Sequence, residues 1–298
     1  MPRIAKDAVQ TADLLSADRQ AIWHSPRLSI SQRFGYFCQH TPPSLVEPVA
    51  EWLDSVTWRV LETATGLTIP RGEEAEMKVR CTVTGLVNLS YQEWLVRLPV
   101  KLYGWGLRSL KDTCGPAYLG AMETAIPFMA ARSKICPQLS QVWGGEECWG
   151  EGASSQTRWR VLLGSGCREG QELRQVWDRL KGEAEKASHW LLTDVKEVFV
   201  TTIEGVGAGS VSGETRRRIV EAREKTRSLL LTKALEQHRP RKDRHVMGWR
   251  QRDKLSSSWI LAGPGVDTSL TSAEFSEAAA ANLSLPSPAC KDRIGEVV

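Results

Sequence analysis

The chain has 298 residues, 41% of them hydrophobic, with 24 glycines and 14 prolines; this length and apolar content exclude wholesale disorder and leave room for one large domain or two ordinary ones. The formal charge is only +4, from 39 basic and 35 acidic residues, so taken globally it points to no particular partner. The distribution is more telling: Glu214 to Lys254 holds 14 Lys or Arg against 6 acidic residues, and the rest of the chain is net acidic.

Seven cysteines (Cys38, Cys81, Cys114, Cys136, Cys148, Cys167, Cys290) are scattered singly, with no C-x-x-C pair and no histidine at ligand spacing. A disulfide framework or a zinc site needs close pairs, so reduced thiols and a cytoplasmic or nuclear location are expected. The opening MPRIAKDAVQTADLL lacks the apolar core of a signal peptide. No apolar run approaches the roughly 18 residues that would suggest a membrane span.

In chain order, residues 1 to 40 carry a helical pattern in which Ile30, Phe34 and Phe37 share a stripe. Ser44, with Glu47 at capping-box spacing, predicts the start of a helix. Leu45, Val49, Trp52, Val56 and Val60 give it an apolar face, and Gly66 gives it a stop. The alternating MKVRCTVTGLVNL predicts a short strand or hairpin. Ser90 and Glu93 form a second capping box for a short helix that Pro99 ends. In LPVKLYGWGLRSL, Gly104 and Gly106 flank Trp105, and Ser109 and Asp112 can cap a helix running towards Pro127.

Residues 136 to 166 read as loop-rich, with WGGEECWGEGASS the clearest linker signal. From Arg168 a strong stripe returns through Leu173, Val176, Trp177, Leu180, Ala184, Ala187 and Leu191. A Gly/Ser break, GVGAGSVSG, separates it from a basic helix expected over Glu214 to His238. WRQRDKLSSSWILA and SAEFSEAAAANL are further helical stretches before the tail LPSPAC. The fold expected is mainly α: an irregular helical bundle with one minor short β hairpin, built as one unit or as two helical subdomains. Its parts are a helical region 1–135, a loop-rich linker 136–167, and a helical C-terminal region 168–298 containing the basic segment 214–254.

No catalytic constellation is apparent. Gly205-x-Gly207-x-Gly209 lacks the strand–helix–strand unit and acidic residue of a dinucleotide site, so it reads as a flexible linker. Ser165 lies in no G-x-S-x-G elbow, and neither a P-loop nor HExxH occurs. The five histidines (His24, His40, His189, His238, His245) are far apart. No catalytic residue, metal ligand or cofactor is therefore expected.

The basic segment is a candidate contact for RNA or DNA. Arg216, Arg223 and Arg227 fall along one helical face with Val220 between them. Arg241, Lys242 and Arg244 continue the array past Pro240, and Trp249 is interleaved. Such residues can neutralise phosphates, and the indole can stack on an unpaired base. The competing reading is a solvated face laced by helix pairs such as Glu221 with Lys225.

Several strings go further: LSISQRFGYFCQH, PVAEWLDSVTWRVLETATG, LSYQEWLVRLPVKLYGWGLRSLKDTCGPAYLGAMETAIPFM and, later, WRQRDKLSSSWILAGPGVDTSLTSAEFSEAAAANLSLPSPACKDRIGEVV. In this order they resemble the region downstream of the catalytic palm in non-LTR retrotransposon reverse transcriptases. The family's R-L-P-x-x-x-x-G-x-G-L-R-S appears as Arg97, Leu98, Pro99, Gly104, Gly106, Leu107, Arg108 and Ser109. The resemblance implies a thumb-like first region and a parent RNA-directed DNA polymerase whose fingers and palm lie upstream. It also implies that a Cys/His-bearing segment is cut away after Cys290.

Polymerase chemistry in the family requires adjacent aspartates to hold two metal ions. This chain contains no Asp-Asp dipeptide, so no catalytic residue carries over and no polymerase activity is expected. The function expected is a catalytically incomplete fragment with weak, non-specific nucleic-acid binding. The alternative is a non-functional or protein-interaction remnant with no nucleic-acid role. A hydrolase or transferase lacks any nucleophile–base pair to support it.

Overall fold

A computed structural model describes residues 19–25, 31–70, 77–81, 85–89, 91–100, 104–130, 141–144, 148, 155–191, 217, 219–222, 224, 270–283, 285 and 287–291. Over these residues the chain is mainly helical. Helix α1 spans Arg19–Ser25, α2 Ser31–His40 and α3 Pro43–Thr65. Two short strands, β1 (Met77–Cys81) and β2 (Gly85–Leu89), pair antiparallel with Val79 opposite Val87. Helix α4 (Tyr91–Arg97) leads through a turn to α5 (Leu110–Ala130), followed by α6 (Ser155–Gly164), α7 (Arg168–Leu191), α8 (Ser272–Leu283) and the single turn α9 (Pro288–Lys291).

The long helix α3 forms where the periodicity places it, but its inner face is only partly the expected one. Its buried side chains include Val46, Ala50, Leu53, Thr57, Val60, Leu61 and Ala64. Leu45 and Trp52 are 55% and 46% exposed. The expected stripe is thus met in part: Val60 is buried and Val49 packs against the core, while the inner face is centred on residues about 100° of rotation from Leu45 and Trp52. Both faces of α3 carry apolar residues, and only the neighbouring helices decide which is covered. The Ser44–Glu47 capping box does not form either. Pro43 occupies the first helical position, which its fixed φ suits, so the cap is Pro42 and makes no side-chain bond. Ser44 instead donates to Glu172, and Glu47 pairs with Arg179 at 2.6 Å. The stop is as expected: Gly66 adopts φ 67° and its N–H donates to the Glu62 carbonyl at 2.8 Å.

Helix α2 also departs from its pattern. Phe34 is buried while Phe37 is 39% exposed. Cys38, one helical turn beyond Phe34, joins it on the inner face instead. Helix α6 occupies part of the stretch expected as linker: the glycine-dense run stops at Ser154, and Leu162 enters the core. In α7 the expected stripe holds where side chains are described, with Leu173, Val176 and Leu180 buried and Trp177 packed against them. Helix α8 opens on a box between Thr271 and Glu274. The Thr271 amide and hydroxyl both donate to the Glu274 carboxylate at 2.8 Å, and they hold that carboxyl below its usual range.

Three apolar clusters make up the described core, strung together by two helices. The first joins Ile22 and Trp23 of α1, the C-terminal half of α3 (Trp58, Val60, Leu61, Ala64), the end of α4, Trp105, Leu107 and the inner face of α8. The second packs Tyr118, Leu119 and Ile126 of α5 on Leu162, Leu173, Val176, Leu180, Ile219 and Ala222. Between them lies the third, where Phe34 and Cys38 of α2 meet Val46, Ala50 and Leu53 of α3 and Leu110, Cys114 and Ala117 of α5. Residues 114–120 are all buried, so α5 is enclosed on several sides and shows no single apolar stripe. No helix among the described residues is long and apolar enough to cross a membrane.

Candidate functional site

The described parts of the resembling motif, Arg97–Pro99 and Gly104–Ser109, join several elements. After α4 the backbone doubles back on the helix end. Trp105 N–H donates to Leu95 O at 3.1 Å, Leu107 N–H to Val96 O at 3.1 Å, and Gly106 N–H to Leu98 O at 2.7 Å. These bonds satisfy carbonyls that the end of α4 would otherwise leave unpaired. The close approach demands glycine at 104: an added Cβ would lie 2.1 Å from Leu98 O and 2.4 Å from its Cβ. The fold-back drives Trp105 into the first cluster. There it meets Trp23 edge-on, centroids 5.5 Å apart, and donates its indole N–H to Asn282 Oδ1 of α8 at 2.7 Å.

Asp54 of α3 holds the downstream end of the same segment. Its carboxylate accepts from Ser109 Oγ (2.6 Å), Leu110 N–H (2.8 Å) and Lys111 N–H (3.3 Å), so one side chain caps the start of α5 from another helix. Ser109 itself accepts from Asp112 N–H at 3.3 Å, which is the cap its spacing predicts. Arg97 stands 3.8 Å from Asp54, donates to Glu93 at 3.0 Å and lies over the Trp58 ring at 5.8 Å. Burial pushes the Asp54 carboxyl up. The Ser109 hydroxyl, the Leu110 amide, the Arg97 charge and the Lys111 amide offset this only in part.

Arg108 reaches the other way. Its Nε lies 2.7 Å from Oε1 of Glu224, a nearly buried carboxylate. The contact is electrostatic rather than a well-directed hydrogen bond, since neither Glu224 oxygen finds aligned hydrogen-bond geometry among the described residues. Arg97, Leu98, Arg108, Ser109, Asp112, Thr113, Val220 and Glu224 enclose a cleft of about 30 Å³. That is room for a water or two and not for an organic substrate. The motif's polar groups are thus spent on joining α3, α4, α5 and the residues around Glu224.

The sequence candidates for nucleic-acid contact, Arg216, Arg223, Arg227, Arg241, Lys242, Arg244 and Trp249, lie outside the described residues. Their described neighbours are informative. Arg217, Ile219, Val220, Glu221, Ala222 and Glu224 are helical; Ile219 and Ala222 are buried in the second cluster, and Arg217 is exposed. Sequence reasoning missed Asp54, Glu224 and Asn282, the partners that give the motif its geometry. Each lies far along the chain from the residue it holds, and no local pattern marks it.

Among the described residues no group of three or more His, Cys, Asp or Glu side chains could hold a metal ion. Cys38, Cys114, Cys148 and Cys167 form no disulfide among the described residues. The sulfurs of Cys38 and Cys114 are 3.4 Å apart. Their mutual hydrogen bond and their burial push the Cys114 thiol up, which disfavours the nucleophilic thiolate. Ser165 Oγ lies 3.1 Å from both the Val142 carbonyl and the Cys167 sulfur. Comparison of the chain with protein-family models, with curated proteins and with solved structures finds no match in any of the three.

Proposed function

We propose that the chain is a catalytically incomplete helical scaffold of the kind found after the palm in non-LTR retrotransposon reverse transcriptases, and that it holds RNA or DNA weakly and without sequence preference through its basic segment 214–254. The upstream polymerase region of a parent polyprotein is its natural partner. The observation that carries this reading is the Arg108–Glu224 ion pair: it ties the resembling motif to the beginning of the basic segment. Burial of Ile219 and Ala222 with Arg217 exposed supports the same anchoring. An anchored helix presents its cations at lower entropic cost than a free arm. The motif itself serves architecture, in keeping with a region that positions template and product rather than reacting with them.

Binding is tested as a function of salt on the full chain. Each phosphate neutralised contributes about −0.9 to the slope of log K against log salt on duplex and about −0.7 on single strands. Replacing Arg216, Arg223 and Arg227 with Gln flattens that slope by roughly two to three units on this reading. Trp249→Ala weakens single-strand binding more than duplex binding. Primer extension with Mg²⁺ or Mn²⁺ gives no incorporation above background, because no adjacent aspartates are available to hold the metals. Absence of binding to either nucleic acid at low salt, or a full slope in the triple variant, would favour a remnant without a nucleic-acid role.

A further inference from the structure

Helix α2 has two faces of different chemistry. Phe34 and Cys38 are buried against α3 and α5. Arg33, Tyr36, Phe37 and His40, at positions i, i+3, i+4 and i+7, are all exposed and share the opposite face. Tyr36 and Phe37 are 64% and 39% exposed, so two adjacent rings face outward on this helix. The rings are organised among themselves: Tyr36 lies 4.5 Å from the His40 ring and 6.2 Å, edge-on, from Phe37. The helix SQRFGYFCQH contains a guanidinium and an imidazole and no carboxylate.

We propose that this face of α2 is a stacking platform for the unpaired bases of single-stranded nucleic acid, with Arg33 at the phosphates. The charge complementarity decides the occupant. A polyanion whose bases are themselves aromatic satisfies the rings and the cation together. An apolar protein surface would cover the rings but strip water from Arg33 with nothing to pair it. The proposal rests on the nucleic-acid reading above and adds a second contact, on a different helix from the basic segment and of different character. The basic segment grips phosphate charge and interleaves one indole, Trp249, whereas this face presents two adjacent rings to unpaired bases with a single cation beside them.

The test uses the full chain and a labelled oligo(dT) of about twenty nucleotides, with the same length of duplex as comparison. Replacing Tyr36 and Phe37 together with Ala lowers single-strand affinity by about tenfold or more and changes duplex affinity far less. The salt slope stays close to that of wild type, since neither ring neutralises a phosphate. Exchanging the rings, Tyr36→Phe with Phe37→Tyr, keeps the affinity, and Arg33→Gln lowers the slope by about one unit or less. A bromodeoxyuridine-substituted strand crosslinks within residues 33–40. Unchanged single-strand binding in the Ala pair, while the triple arginine variant of the basic segment loses it, overturns this inference and leaves the proposed function standing. No binding by wild type removes both. Self-association of wild type that the Ala pair abolishes, without an effect on oligonucleotide, would assign the face to a second copy of the chain and overturn the platform.

Discussion

Gly104 and Gly182 are the same residue type under opposite constraints. At Gly104 a Cβ would collide with the Leu98 backbone at 2.1 Å, in a segment pinned by four backbone hydrogen bonds. Gly104→Ala therefore costs about 1–3 kcal/mol or more, because the overlap can be relieved only by pulling the turn off α4. At Gly182, within α7, nothing lies within 4 Å of the added carbon. Gly182→Ala is expected to stabilise the chain by about 0.5–1 kcal/mol through lower backbone entropy in the unfolded state. Urea denaturation of the two variants checks both signs, and the same sign in both would contradict the geometry.

Asp54 supplies a pH signature. Its folded carboxyl is raised above the ordinary value by burial, so the folded state holds this proton more tightly than the unfolded state does. Its contribution to stability is fully present below the ordinary carboxylate range and is lost as pH rises through the raised value. Subtracting the denaturation profile of Asp54→Asn from that of wild type should give a difference that declines with rising pH across that window. A difference that grows with pH would mean that Ser109, the two amides and Arg97 outweigh burial. The carboxylate's role was not legible locally, since Ser109 lies 55 residues away from it.

At the scale of the element, α3 separates what periodicity can and cannot tell. Apolar residues recur along more than one side of it, so the 3.6-residue pattern identifies a helix without choosing its face. The choice is made by α2 and α5 on one half and by α1 and α8 on the other. Leu53→Ala is accordingly expected to cost about 2–5 kcal/mol. Leu45→Ala, at an exposed position of the expected stripe, stays within about 0.5 kcal/mol. Equal losses by thermal or chemical denaturation would restore the original stripe. The motif turn shows the same division. Gly104, Trp105 and Gly106 announce a tight, specific turn from sequence, but Asn282, which receives the Trp105 indole N–H, is 177 residues distant.

Over the whole molecule, α3 and α5 make the three clusters interdependent. Val46, Ala50 and Leu53 of α3 belong to the cluster shared with α2, and Trp58, Val60, Leu61 and Ala64 to the one shared with α1 and α8. Likewise α5 gives Leu110, Cys114 and Ala117 to one cluster and Tyr118, Leu119 and Ile126 to another. Each helix thus contributes buried side chains to two clusters, which couples their stabilities. The twelve tryptophans permit a direct check: urea unfolding followed by fluorescence and by circular dichroism should trace coincident, single transitions for these elements. Leu119→Ala should shift both probes together, by about 2–5 kcal/mol. Transitions that separate would mean that the clusters fold as independent subdomains.

The mainly helical class, the helices through α3, α4, α5 and α7, the Gly66 stop and the Ser109 cap were all written locally, because periodicity, caps and breakers act within a turn or two of chain. The absence of adjacent aspartates is likewise a property of the sequence alone. Tertiary structure decided which face of α3 is buried, turned Phe37 outward, made Ser155–Gly164 a helix and brought Asp54, Glu224 and Asn282 to the Arg97–Ser109 turn. These outcomes depend on competition between surfaces for burial and on partners far apart in the chain, and apolar burial is non-directional, so no local pattern encodes its result.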